Sequence, residues 1–132
     1  MLKLEIVTPE RKVVDSEVES VTVPTASGEV GIMAAHAPLI SALKPGVLSY
    51  SQKGSIEKLA ISTGFVEVSR DLVSVLTDFA ESSDEIDQAK AKVDRDEAEK
   101  ELTSSTAPVD ETESIRERLE HASARLAVAS IR

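Results

Sequence analysis

The composition of this chain changes abruptly near residue 84, and this change limits the folds that the chain can adopt. Before that point 22 of 84 residues are Val, Ile or Thr, and all five Gly and all three aromatic residues lie there. After it only 9 of 48 residues are β-branched and eight are Ala. Because β-branched residues favour strands and Ala favours helices, we expect an α+β protein, with a β domain over residues 1–84 and an α domain over residues 85–132.

Short runs of alternating apolar and polar residues recur through the first domain, between turn signals. Examples are Leu2–Ile6 before Thr8-Pro9, Val47–Tyr50 before Lys53-Gly54, and Val73–Val75. Short strands at even spacing are typical of an antiparallel sandwich or flattened barrel, here of roughly eight to ten strands. A parallel sheet would need crossover helices, for which this region has no room.

The second domain carries the patterns of two helices. Ser82 and Glu85 form a capping-box pattern, which predicts a helix from there to about Thr103. Its expected apolar positions are Ile86, Ala89, Val93, Ala98 and Leu102. After a break that ends at Pro108, Asp110 and Glu113 repeat the cap pattern. The expected apolar positions of the second helix are Ile115, Leu119, Ala122, Leu126 and Ala129, which alternate steps of four and three. We expect an antiparallel two-helix hairpin.

The apolar faces of both helices are rich in Ala, which limits how firmly the hairpin is held. A fully buried aliphatic side chain contributes about 1.5–3 kcal/mol, and Ala contributes less. The pattern therefore favours a hairpin that docks on the sandwich and undocks from it. A hairpin fixed permanently on the sheet remains the alternative.

Several functional classes are excluded by composition. The chain has no Cys and only two His, which excludes cysteine-based metal sites and nucleophiles and disfavours a multi-histidine site. A net charge of -9 argues against a nucleic-acid partner. No nucleophile elbow or phosphate-binding glycine loop is present. We therefore expect a protein that is not an enzyme and has no cofactor.

The sequence also bears on location. Its first seven residues include Glu5 and no sustained apolar run, so they predict neither a signal peptide nor a transit peptide. No run of eighteen apolar residues occurs. We expect a cytosolic protein without direct membrane insertion.

One segment of the first domain is unusual for a loop between strands. From Gly28 to Leu39 it contains small and apolar residues together with His36. Exposed apolar loops commonly mark contact surfaces. The alternative is that His36 is hydrogen-bonded beneath its own loop.

Four segments, in a fixed order along the chain, give it a specific resemblance. The order Gly28-Glu29-Val30-Gly31-Ile32, His36-Ala37-Pro38-Leu39, Gly64-Phe65-Val66-Glu67-Val68 and Val73-x-Val75-Leu76-x-Asp78-x-Ala80-Glu81 resembles the epsilon subunit of bacterial F-type ATP synthase. The similarity covers the whole chain, including the hairpin. One departure is Met33-Ala34-Ala35, where the family usually has Leu-Pro-Gly before the His.

The resemblance implies a non-catalytic rotor-stalk subunit at the cytoplasmic face of the cell membrane. In the family the sandwich binds the gamma subunit and rests on the ring of c subunits, and the hairpin either folds on the sandwich or extends toward the alpha/beta hexamer and inhibits ATP hydrolysis. Carried onto this sequence, the c-ring contacts would be Glu29, Met33, His36, Pro38 and Leu39.

A nucleotide site is a second implication of the resemblance. Ile86-Asp87-Gln88-Ala89-Lys90-Ala91 is similar to the motif with which some members bind ATP, with Lys90 in place of Arg. Asp87 would meet the adenosine, and Lys90 and Arg125 the phosphates. Lys lacks the bidentate fork of Arg, so we expect weak or no ATP binding. Alternatively, Asp87 favours the helix N-terminus and Lys90 pairs with Asp94.

A line of arginines on the last helix is the candidate inhibitory contact. Arg118, Arg125 and Arg132 are seven residues apart and fall on one side of the helix, beside its apolar face. In the family the extended hairpin meets an acidic stretch of the catalytic subunits, which these arginines would contact. A solvated flank is the alternative explanation.

A different class of function also fits the sandwich, that of a free-standing module that binds a small ligand between sheet and hairpin. It would need an enclosed apolar pocket, which an aromatic content of 2% disfavours.

Overall fold

The computed structural model describes residues 1–130, which form ten strands followed by two long helices. The strands are β1 (Leu2–Val7), β2 (Lys12–Val18), β3 (Ser20–Thr25), β4 (Gly28–Met33), β5 (Leu39–Leu43), β6 (Gly46–Gln52), β7 (Ser55–Ile61), β8 (Gly64–Ser69), β9 (Leu72–Thr77) and β10 (Ala80–Glu81). The helices are α1 (Gln88–Ser104) and α2 (Glu113–Ala129). The predicted α+β fold, a sandwich followed by a helical hairpin, is confirmed. Neither helix is long and apolar enough to cross a membrane, as judged on residues 1–130.

One sheet folds over on itself to form the sandwich. Its strand order is β10-β7-β6-β3-β5-β8-β9-β1-β2, and β4 pairs with β3 outside this path. Strands β1 and β9 run parallel, whereas the other pairs found among residues 1–130 are antiparallel. This one parallel pair departs from the prediction. It needs no crossover helix, because the strands between β1 and β9 form the connection.

Aliphatic side chains fill the sandwich. Alternation places Leu2, Leu4 and Ile6 of β1 fully inside, because successive side chains of a strand point to opposite faces. Val66 and Val68 of β8 are buried in the same cluster. Each such side chain stabilises the fold by about 1.5–3 kcal/mol, so the sandwich is held mainly by its own core.

Residues 28–33 form a strand, which corrects the expectation of a loop from Gly28 to Leu39. Strand β4 pairs along its whole length with β3, from Thr25 opposite Gly28 to Ser20 opposite Met33. The Thr25 hydroxyl donates a hydrogen bond of 2.6 Å to the Gly28 carbonyl and closes the tight turn between them. Only residues 34–38 connect β4 to β5. The short alternation of β4, interrupted by Gly31, gives a weak strand signal.

Both helices begin later than their sequence patterns predict. The Glu85 carboxylate accepts hydrogen bonds from the Ser82 amide at 3.1 Å and the Ser82 hydroxyl at 3.0 Å, but this box closes only a short 3-10 turn, Ser83–Glu85. Helix α1 starts at Gln88, with Asp87 as its N-cap. Asp110 likewise lies in a 3-10 turn, and α2 follows Thr112. Ile86 lies between the 3-10 turn and α1 and is buried. Its burial holds this segment in the apolar cluster between hairpin and sheet, so α1 starts only after it.

Helix α2 packs on β6 and β7, and α1 packs mainly on α2. The buried residues of α1 are Ala91 and Ala98, and those of α2 are Ala122, Ala124, Val128 and Ala129. The predicted positions Ala89 and Val93 are wrong, since both are exposed, Val93 by 54%. Helix α1 packs mainly against one neighbour, α2. A narrow line of buried residues seven positions apart, Ala91 and Ala98, is therefore enough to pack it.

We expect Gly64→Ala to destabilise the sandwich strongly. A Cβ atom at residue 64 would lie 1.9 Å from the backbone oxygen of Leu76, so β8 and β9 would have to separate. Overpacking of this kind costs roughly 3 kcal/mol. Urea unfolding measures the change. Gly31→Ala is the control, because its Cβ would meet no atom within 4 Å; equal midpoints for both variants would contradict the close approach.

Candidate interaction sites

The sandwich carries an exposed apolar surface on strands β5, β8, β9 and β1, which we call the outer face. Register places Ala42 opposite Phe65, Phe65 opposite Leu76, and Leu76 opposite Val7, so the four side chains form a row. Phe65 is 59% and Leu76 is 55% exposed. Ile40 lies further along β5 and is 73% exposed. Large apolar side chains gathered in this way mark an interaction surface.

An open groove of about 640 Å³ runs along the outer face. Its apolar lining is Val7, Pro9, Ala42, Leu43, Phe65 and Leu76. Sequence reasoning missed this surface as a site. The available signal was Phe65, because the inward positions of Val66 and Val68 place their neighbours Phe65 and Glu67 outside. The hairpin packs on β6 and β7, so it leaves the outer face open.

The predicted c-ring residues lie on β4 and on the connection that follows it. Glu29 and Met33 project outward from β4, with Ile32 buried between them on the opposite side. They are roughly 13 Å apart along the strand at about 3.3 Å per residue. Within residues 1–130, β4 pairs with β3 alone, so its other edge is open. Glu29, Met33, His36 and Pro38 therefore lie on one strip of surface, formed by β4 and residues 34–38, whereas Leu39 begins β5 and packs against the sandwich core.

His36 stands in a tight turn at the end of this strip. Its amide donates a hydrogen bond of 3.2 Å to the Met33 carbonyl. Its Nδ1 lies 2.7 Å from the Ala37 carbonyl oxygen, so the protonated Nδ1 donates to its neighbour. The ring is half-buried. Met33, in contrast, is 66% exposed and is available to a partner.

A cluster of charged and aromatic side chains joins the hairpin to the sandwich, and we call it the latch. Arg125 of α2 lies 2.9 Å from Glu81 Oε1 through its Nε and donates a hydrogen bond of 3.3 Å to Glu81 Oε2. A second carboxylate, that of Asp94 in α1, lies 3.7 Å from Arg125. Only 14% of the Arg125 side chain is exposed. The latch therefore connects β10, α1 and α2.

His121 belongs to the latch as well. Its ring stacks on Phe79 with 5.5 Å between the ring centroids. Burial lowers the pKa of His121 below its usual value of 6.5, and Arg125 lowers it further, whereas Glu81 and Asp94 oppose this shift. The buried Nε2 finds no hydrogen-bond partner within the described part of the chain. The docked hairpin therefore favours neutral His121.

Weaker, exposed ion pairs support the docked hairpin. Arg118 of α2 pairs with Glu101 of α1 at 3.0 Å, and Lys44 lies 3.9 Å from Glu120. Exposed pairs of this kind contribute at most about 1 kcal/mol each. Arg132, the third arginine of the predicted line, lies outside the described residues.

The predicted nucleotide residues do not share one cavity. Asp87 Oδ1 accepts a hydrogen bond of 3.1 Å from the Lys90 amide, so Asp87 acts as the N-cap of α1. Arg125 lines a cavity of about 240 Å³ with His121, Arg118, Asp94 and Ala122, and neither Asp87 nor Lys90 is part of that lining.

An apolar face that the hairpin leaves open, together with a strand edge unpaired among residues 1–130, is typical of a subunit that docks to other proteins. The chain matches the family described as "ATP synthase, Delta/Epsilon chain, beta-sandwich domain" over residues 1–83. The ATP synthase epsilon chain of Desulforamulus reducens is 44% identical over 108 residues, 82% of each chain. That of Citrifermentans bemidjiense is 43% identical over 129 residues, 97% of this chain and 93% of its own.

Solved structures agree. A chain of the Euglena gracilis mitochondrial ATP synthase, solved as OSCP/F1/c-ring, superposes with a TM-score of 0.79 at 25% identity, covering 99% of this chain and 81% of that one. A central stalk/c-ring chain of Tetrahymena thermophila shares the fold, with a TM-score of 0.66 at 13% identity, over 97% of this chain and 96% of its own. The chain belongs to the ATP synthase epsilon family, whose members are non-catalytic subunits of the complex.

We expect the docked hairpin to loosen as pH falls below about 6.5. The released hairpin exposes His121, which then takes up a proton more readily than in the latch, so docking is favoured above this pH and weakened below it, by at most about tenfold per pH unit. Spin labels on cysteines introduced at Lys58 of β7 and Ser123 of α2 would report the distance between sandwich and hairpin. The labels would be specific, since the chain has no native Cys.

Two histidine variants separate this effect from general acid effects. His121→Gln removes the titrating group and should flatten the response between pH 7 and the start of acid unfolding. His36→Gln, a change of the other histidine, should leave the response intact. The same pH dependence in His121→Gln would show that another group controls docking.

Proposed function

We propose that this chain is a rotor subunit of the central stalk, which links the gamma subunit to the c ring and inhibits ATP hydrolysis through its hairpin. The observation that carries the proposal is that the sandwich and the hairpin present separate surfaces. The sandwich presents an open apolar face away from the hairpin, and the hairpin is held by small side chains and a few ion pairs. The subunit would lie peripherally, at the cytoplasmic face of the membrane that holds the complex.

The outer face is the proposed gamma-binding surface. Phe65, Leu76 and Ile40 are each more than half exposed, and aromatic and large aliphatic side chains are characteristic of the centre of protein interfaces. The groove that Phe65 and Leu76 line is open. An open groove fits a protein better than a small ligand, which prefers an enclosed pocket, and this favours the rotor over a free-standing ligand module.

The open edge of β4 and residues 34–38 form the proposed c-ring contact. Glu29 and His36 would supply polar contacts there, and Met33, Pro38 and Leu39 would supply apolar ones. The support is geometric, because Glu29, Met33, His36 and Pro38 lie on this strip, whereas Leu39 is partly buried against the sandwich core and would contribute only at its margin.

We expect Phe65→Glu to abolish stable binding of gamma. The side chain lies at the middle of the apolar row, and a buried, unpaired carboxylate there would cost several kcal/mol. Co-purification with a tagged gamma subunit tests the proposal directly. Ile56→Glu is the matched control, because Ile56 is 68% exposed on β7, outside the outer face. Normal gamma binding by Phe65→Glu would contradict this assignment.

The inhibitory role rests on an exchange of ion-pair partners. In the docked hairpin, Arg118 pairs with Glu101, and Arg125 pairs with Glu81 and Asp94. The chain's own carboxylates thus occupy the arginines that we propose to contact acidic residues of the catalytic subunits. Undocking frees Arg125 from Glu81, and separation of the helices frees both arginines from α1.

Two substitutions at one ion pair should change inhibition in opposite directions. Arg118→Ala removes a contact of the extended hairpin, so the ATPase rate of the assembled enzyme should rise. Glu101→Gln releases Arg118 from its partner in the docked state, so the rate should fall. Each change corresponds to at most about 1 kcal/mol, or about fivefold, and should shrink at high salt. Changes of the same sign in both variants would contradict the exchange.

Removal of the hairpin should separate its role from that of the sandwich. A chain ending at Ser83 retains the ten strands and both proposed docking surfaces. Gamma binding and proton-coupled ATP synthesis should therefore persist, while inhibition of ATP hydrolysis is lost. Loss of coupling in this truncated chain would show that the hairpin also contributes to assembly.

We propose that ATP binding by this chain is weak or absent. Asp87 is occupied as a helix cap, Lys90 replaces the bidentate Arg, and Arg125 is bound to two carboxylates. A phosphate would have to displace those carboxylates.

A further inference from the structure

Residues 34–38, which follow β4, are tied to a distant turn by one side chain. The Ala35 amide donates a hydrogen bond of 2.7 Å to Asp71 Oδ1. Asp71 lies in the two-residue turn between β8 and β9, 36 positions away in the chain. A hydrogen bond from a backbone amide to a carboxylate is roughly twice as strong as one between neutral groups.

Asp71 also holds β1 through its backbone. Its carbonyl oxygen accepts a hydrogen bond of 2.8 Å from the Lys3 amide. Asp71 thus connects three separate segments, namely the start of β1, the turn between β8 and β9, and residues 34–38. Its position is fixed by the sheet, because Ser69 and Leu72 pair on either side of the turn.

The backbone that Asp71 holds is strained. Ala35 has a φ of 64°, a left-handed conformation that residues with a side chain rarely adopt. It occupies the third position of the turn that the His36 amide closes on the Met33 carbonyl, a position where Gly is the usual residue for positive φ. The strained conformation persists because neighbouring structure holds it, and such outliers gather at functional surfaces.

We propose that Asp71 is a positioning residue for the c-ring contact: its carboxylate holds residues 34–38 so that Met33, His36 and Pro38 face the partner together. This inference rests on the proposed function for the identity of the partner. Without the carboxylate, Ala35 would relax toward negative φ, and the turn that presents His36 would open. Asp71 itself does not touch the ring.

Two substitutions at Asp71 separate the effect of its carboxylate from the conformation of the turn. Asp71 has a φ of 60°, which Gly and Asn both tolerate. Asp71→Gly therefore keeps the turn and removes the acceptor, whereas Asp71→Asn keeps the turn and an acceptor oxygen. Arg70→Gly is the matched control, since it places the same flexible residue in the same turn, at a φ of 50°, and leaves Asp71 intact.

The first measurement is hydrogen exchange of the Ala35 amide in the isolated full-length chain, which does not involve the ring. We expect about tenfold faster exchange in Asp71→Gly, little change in Arg70→Gly, and an intermediate rate in Asp71→Asn. Unchanged exchange in Asp71→Gly would overturn the positioning role at its first step.

The second measurement is cross-linking in the assembled enzyme, between a cysteine at position 36 and one in the polar loop of the c subunit. The yield should fall several-fold in Asp71→Gly and remain high in Arg70→Gly and Asp71→Asn. Adding Ala35→Gly to Asp71→Gly should restore part of the yield, because Gly adopts positive φ without support. A normal yield in Asp71→Gly despite faster exchange would overturn the proposal.

The two measurements also separate the proposal from the function on which it rests. If His36→Cys with Asp71 intact gives no cross-link to the ring but the exchange results hold, the ring contact is wrong, and the role of Asp71 toward the ring falls with it. If the cross-link forms in His36→Cys and does not depend on Asp71, only the positioning role is wrong.

Discussion

The contact between α2 and strands β6 and β7 determines what the rest of this structure can do. On the helix it is made by Ala124, Val128 and Ala129, with Leu126 at its margin, and it meets Ala60 of the sheet and Ile86 before α1. Most of these side chains are small, so their burial yields less free energy than the aliphatic core of the sandwich. The sandwich is therefore held by its own core rather than by its contact with the hairpin.

The charged contacts show the same contrast between a strong sandwich core and a weaker hairpin contact. Among residues 1–130, few polar contacts join the hairpin to the sandwich, and the best shielded of them is that of Arg125 with Glu81. An ion pair of this kind is directional but gives little net stability after the desolvation of its charges. It fixes where α2 docks and adds little to the strength of the docking. Beside it, the half-buried His121 ring stacks on Phe79.

The surfaces proposed for partners depend on the stiffness of the sandwich. The outer face is built on paired strands, so Phe65 and Leu76 are held in place by the register of β8 and β9. The proposed c-ring contact combines the open edge of β4 with a turn that requires positive φ at Ala35. Sequence reasoning noticed Ala35 only as a departure from the usual pattern. The structure shows the physical consequence, which is a strained turn held from outside by Asp71.

Local patterns predicted much of this architecture. The fold class, the number of strands and two of the four buried residues of α2, Ala122 and Ala129, follow from strand alternation and from helical spacing, which neighbouring residues control. The helix starts were less predictable, since Ser82–Glu85 forms its capping box but closes only a 3-10 turn. Whether a capped turn continues as a helix depends on what its next residues pack against, and here Ile86 is buried.

The sequence by itself therefore determined the two halves of the protein, its lack of recognisable catalytic motifs and its family. Only the tertiary structure decided that β4 is a strand with an open edge, that Phe65 and Leu76 share a face, that Arg125 meets Glu81, and that Asp71 reaches Ala35. Each of these pairs residues from different strands, turns or helices. Their proximity is set by sheet register and by how α2 lies on the sandwich, which depend on long-range packing and leave no periodic signal in the chain.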